Sequence, residues 1–181
     1  IEQLRSSLES LAGLVRYSRI TVQLVPRIQE NGISQADVPF PWIARLSPVQ
    51  ETTGEAKAPI PITLPPSFAV FSEGTKVRGE AADGTIVRAG AVTNEPDGDE
   101  AFWQRALAYH LGPFYRRSEE LQAGPFRGVL LESRDASPYS YLILVHRREG
   151  ELVVAEAFFP TAGARETRLA DVLGAISGGT E

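Results

Sequence analysis

The stretch Tyr139-Ser140-Tyr141-Leu142-Ile143-Leu144-Val145-His146-Arg147-Arg148-Glu149-Gly150-Glu151-Leu152-Val153-Val154-Ala155-Glu156-Ala157-Phe158-Phe159 decides how this chain folds. Apolar, β-branched and aromatic residues fill both halves, and Glu149-Gly150 between them supplies the break of a tight hairpin. With that turn, strands over 139–148 and 152–159 pair so that Val145 faces Val154, Ile143 faces Glu156 and Tyr141 faces Phe158. Leu144 with Ala155 and Leu142 with Ala157 then occupy the opposite face. The two alanines there predict room for a helix to approach closely.

Working outward, Leu169, Val172, Leu173 and Ile176 follow the i, i+3, i+4, i+7 spacing of a helix over 164–176, ended by Gly178-Gly179. Upstream, strands are expected over 67–71, 75–80 and 85–93, with Asp83-Gly84 as a hairpin turn. Period 2 then gives way to period 3.6. Asp97 is expected to cap a helix with Glu100 completing a capping-box-like pair, and Phe102, Trp103, Ala106, Leu107, His110 and Leu111 form its apolar face. Gly112-Pro113 stops it. A connecting segment precedes a strand over 126–133. Three strands, a helix, three strands and a helix predict an α+β domain over 67–181, an antiparallel sheet packed with helices.

Ahead of it, eight of the thirteen prolines lie in 26–66, at Pro26, Pro39, Pro41, Pro48, Pro59, Pro61, Pro65 and Pro66. Proline fixes φ and lacks the amide donor, so neither a long helix nor a central strand is expected there. This stretch reads as an extended connector pinned to the domain by Trp42, with 50–58 as its mobile loop. Residues 1–25 begin with Ile1, Leu4, Leu8, Leu11 and Val15 at alternating spacings of three and four, a narrow coiled-coil-like seam. A strand over 19–25 follows, with Ile20, Val22 and Leu24 inward. Two heptads are too short to stand alone. The seam therefore predicts a cut stem, covered by its own domain or by self-association through 1–16.

A net charge of -5 argues against nucleic acid as a partner, because phosphate binding relies on clustered Lys and Arg. The absence of cysteine excludes thiolate catalysis, zinc-thiolate sites and disulfides. No apolar run reaches the length that spans a bilayer. A membrane is expected only through an anchor outside this sequence.

The run Leu14-Val15-Arg16-Tyr17-Ser18-Arg19-Ile20-Thr21-Val22 resembles the end of the coiled-coil hairpin in an uncharacterised family of bacterial envelope proteins. That resemblance implies an extracytoplasmic parent protein with a lipid or membrane anchor. The region 68–176 is similar to the PsbP-like fold and to small bacterial lipoproteins of that shape. The resemblance is carried by Phe102-Trp103 with Ala106-Leu107, by Tyr139 with Tyr141-Leu142, and by Leu152-Val153-Val154-Ala155-Glu156-Ala157. It implies an α/β/α sandwich that acts as a binding or assembly module, with a protein of the cell envelope as its partner.

The residues themselves offer little chemistry. His110 and His146 have no partner ligand at zinc spacing, and no Gly-x-Ser-x-Gly motif is present. No catalytic residue, metal or cofactor is expected, and the chain reads as non-enzymatic. A hydrolase would need a carboxylate pair such as Glu132 with Glu156. Glu156 falls mid-strand, so under a helix it must pair with Arg147 or Arg88. Tyr139, Tyr141 and Phe158 share one face, and with Trp103 or Tyr109 they are candidates to line a groove for a small apolar ligand.

Overall fold

The computed structural model describes residues 38–178. The seam over 1–16 and the strand over 19–25 lie outside the described residues. Among the described residues, seven antiparallel strands form one open sheet in the order β1-β2-β3-β7-β6-β5-β4. They are β1 (Phe68–Glu73), β2 (Lys76–Ala81), β3 (Ile86–Thr93), β4 (Arg117–Ala123), β5 (Phe126–Glu132), β6 (Ser140–Arg148) and β7 (Glu151–Phe159). Among the described residues, three α-helices accompany them: α1 (Pro41–Ala44), α2 (Glu100–Leu111) and α3 (Ala162–Ser177). The fold is α+β, as its element order predicts.

The β6–β7 hairpin lies in the sheet centre, and its register places Val145 opposite Val154, Ile143 opposite Glu156 and Tyr141 opposite Phe158. At its turn Glu149 has φ 47° and Gly150 φ 79°. Two successive positive φ angles belong to the tight turn whose twist matches that of the strands. Val153, Ala155, Ala157 and Phe159 face one core with Val172 and Ile176 of α3. Leu152 and Val154 face the other with Trp103 and Leu107 of α2. Burial on both sides explains the near-continuous apolar run of these strands. Each buried Leu, Ile or Val contributes about 1.5–3 kcal/mol.

Several expectations are corrected. The cap of α2 is Asp99, whose Oδ1 accepts from the Phe102 amide at 2.7 Å. Asp97 instead accepts from the Asn94 side chain and from Arg147. Glu100 does not close a capping box; its carboxylate reaches β6. The connecting segment before β5 contains an additional strand, β4, and the proline-rich stretch contains the short helix α1. Trp42 of α1 is buried with its ring 5.3 Å from that of Trp103. The stretch expected to be a mobile loop is fastened instead. Gly54 exchanges two backbone hydrogen bonds with Ala91 of β3, beyond the start of β2, at 2.8 and 2.9 Å. The Lys57 amide donates to Glu151.

Candidate functional site

The aromatic residues singled out from sequence separate in the fold. Trp103 is fully buried, edge-on to Phe40, Trp42 and Phe102, and its indole N–H donates to Asn94 Oδ1 at 2.7 Å. Tyr139 and Tyr141 are buried on the same face of the sheet as α2. Tyr139 packs against Tyr115 and Phe158. Tyr109 is 77% exposed. The tyrosine face is thus filled by the protein's own side chains, with Tyr109 apart from it on the outer side of α2.

Glu156 is 1% exposed and belongs to a sealed polar cluster. The chain builds it by register: β3 sets Arg88 opposite Glu156, and β6 brings Tyr141 from the other side. Arg88 Nε donates to Glu156 Oε2 at 2.7 Å and Nη2 to Oε1 at 3.2 Å. The Tyr141 hydroxyl donates to Oε1 of the same carboxylate. Arg88 Nη2 also donates to the backbone carbonyl of Ser47, which closes the cluster from the proline-rich side. Burial pushes the Glu156 carboxyl above its usual range, against the opposing pull of Arg88. Burial, then the Glu156 charge, push the Tyr141 phenol well up. Acid, phenol and guanidinium hydrogen-bond to one another, so the arrangement ties β3, β6 and β7 together. Arg147 takes no part; it is exposed and pairs with Asp97.

A glycosidase-like pair is not assembled. Glu132 lies on the face of α3, held by Arg116 and Arg165, whereas Glu156 lies on the face of α2. Among the described residues, no group of three or more His, Cys, Asp or Glu is placed to hold a metal ion. Among them, too, no helix is long and apolar enough to cross a membrane.

Sequence reasoning missed a contrast between the two sheet edges. The outer strand β1 leaves Val70 52% and Phe71 55% exposed on opposite faces, beside backbone groups that no described strand pairs. The opposite outer strand, β4, exposes Arg117, Ser118, Glu119 and Glu120. Charged side chains along an edge discourage pairing with another chain, and β1 has no such protection at its centre. The signal was present in Phe68-Ala69-Val70-Phe71, an uninterrupted apolar run at a sheet margin.

Comparison with protein families matches none, and no curated protein matches. Among solved structures, the chain is distantly similar to a crystal structure from Bacteroides thetaiotaomicron VPI-5482, with 10% sequence identity and a TM-score of 0.39. The match covers 64% of this chain and 42% of that one, so the chain spans less than half the length of the protein it resembles.

Proposed function

We propose that this protein is a non-enzymatic binding or assembly module of the bacterial cell envelope, and that it works by offering the β1 edge to an extended segment of a protein partner. The exposed pair Val70 and Phe71 on an outer strand whose free edge no described strand pairs carries this reading. A partner strand laid beside β1 would form main-chain hydrogen bonds along it and place alternate side chains against Val70 on one face and Phe71 on the other. The internal pairing of Arg88, Glu156 and Tyr141 supports binding over catalysis, because the most strongly perturbed groups are committed to each other. The envelope setting rests on the resemblance of 14–22 to envelope proteins and of 68–176 to the PsbP-like fold.

Photo-crosslinking side chains placed at Val70 or Phe71 of the full chain in its native host, with Ser118 and Glu119 as opposite-edge controls, test this directly. A discrete adduct from the β1 positions alone, recovered with the extracytoplasmic fraction, is expected. Adducts from both edges, none from either, or recovery in the cytosol would overturn it. An adduct to a second copy of the chain identifies self-assembly as the use of the edge.

A further inference from the structure

A cleft of about 410 Å³ opens where the proline-rich segment crosses the β4–β5 turn and the β6–β7 hairpin. Its apolar walls are Ile60, Pro61, Phe126 and Val153, and its polar ones are His146 and Arg148. The site is independent of the β1 edge.

The polar groups are already oriented. His146 Nδ1 lies 2.9 Å from Glu100 Oε1, and that oxygen also accepts the Arg147 backbone N–H at 2.9 Å. Partial burial opposes the Glu100 charge, but the Arg147 amide and His146 outweigh it and hold the carboxyl below its usual range. An ionised Glu100 only accepts hydrogen bonds, so in the neutral imidazole the proton sits on Nδ1. Nε2 is then a lone-pair acceptor, and among the described residues it has no partner.

Arg148 differs. Its guanidinium donates to the carbonyls of Ala58 and Pro59 and to Glu151 Oε1, at 2.7, 2.9 and 2.9 Å. Both polar walls are therefore already faced by a carboxylate, Glu100 at His146 and Glu151 at Arg148. An anionic headgroup entering the cleft would be the third such charge in a largely apolar space.

The geometry points to a binding site for a neutral, mainly apolar molecule carrying one hydroxyl group, such as a phenol or an aliphatic alcohol, whose O–H donates to His146 Nε2 while Ile60, Pro61, Phe126 and Val153 hold its body. The volume is in the range of small-molecule pockets.

Calorimetric titration of the full chain with para-butylphenol, butylbenzene and para-butylbenzoate tests the assignment. The phenol is expected to bind roughly fivefold tighter than the hydrocarbon, the worth of one net hydrogen bond, and tighter than the benzoate. His146→Phe keeps the ring packing on Phe126 and should reduce the phenol to the affinity of the hydrocarbon. Pro61→Trp, an exposed substitution at the rim, should block all three. No binding, equal affinity for phenol and hydrocarbon, preference for the benzoate, or an unchanged phenol affinity in His146→Phe would each overturn the proposal.

Discussion

Arg88 and Glu156 stand directly opposite one another on β3 and β7, and the guanidinium holds both carboxylate oxygens from a position that solvent scarcely reaches. Removing one member leaves the other charged and buried, which costs about 3–5 kcal/mol. Arg88→Met and Glu156→Leu should each lower stability by that order in a denaturant titration. The double substitution removes both charges, and although it leaves the Tyr141 hydroxyl short of an acceptor it should recover much of the loss. If it proves as damaging as the sum of the two, the pair is not the energetic unit described.

Asp83 joins the β2–β3 turn to α3. Its Oδ2 receives Arg168 Nε at 2.8 Å, and its Oδ1 receives the Thr85 amide at 2.9 Å. Slight burial opposes ionisation, but these hydrogen bonds prevail and lower its pKa from 3.8 to about 2. A carboxyl that is more acidic folded than unfolded stabilises the fold above its unfolded pKa. That stability is lost as pH falls from about 4 toward 2. The pair is partly solvated, so the contribution is on the order of 1 kcal/mol. Asp83→Asn should lower stability at neutral pH by that amount and flatten the acid limb of a stability-versus-pH curve. An unchanged acid limb would remove Asp83 from the account.

The central hairpin was legible because a two-residue turn and an alternation of period 2 fix a register locally. Other features depend on neighbours distant in sequence. Arg88 and Arg147 were equal partners for Glu156 until the sheet order set β3 beside β7, which puts Arg88 opposite and leaves Arg147 at the hairpin end. Strand β4 escaped notice because only Leu121 and Ala123 of Arg117–Ala123 turn toward a core, and its pairing with β5 is main-chain. The cap of α2 shifted to Asp99 within an acidic run in which Asp97 is held by Asn94 and Arg147. The candidate cleft was hidden for the same reason: Glu100 and His146 lie 46 residues apart.

Glu149 occupies the first left-handed position of the β6–β7 turn, φ 47°, which side chains other than Gly, Asn and Asp adopt at a cost. Its backbone carbonyl accepts from Lys57 Nζ, a bond that substitution leaves in place. Glu149→Asn should therefore raise stability by about 0.5–1 kcal/mol, seen as a higher melting temperature. A drop would mean that the Glu149 side chain contributes more than the turn strain costs.

Gly90 marks where the proline-rich segment meets the sheet. A Cβ added there would stand 2.3 Å from Thr53 Oγ1 and 2.6 Å from the Gly54 carbonyl oxygen, the group that pairs with Ala91. Backbone cannot yield as a flexible side chain can, so Gly90→Ala must push 53–54 away and strain or break the Gly54–Ala91 bridge. A loss of about 1–3 kcal/mol is expected, in the range of overpacking a filled site. The readout specific to this mechanism is hydrogen exchange. The Gly54 and Ala91 amides should lose protection while those of the β6–β7 hairpin keep theirs, and equal loss in both places would mean that the connector is not a separately fastened strap.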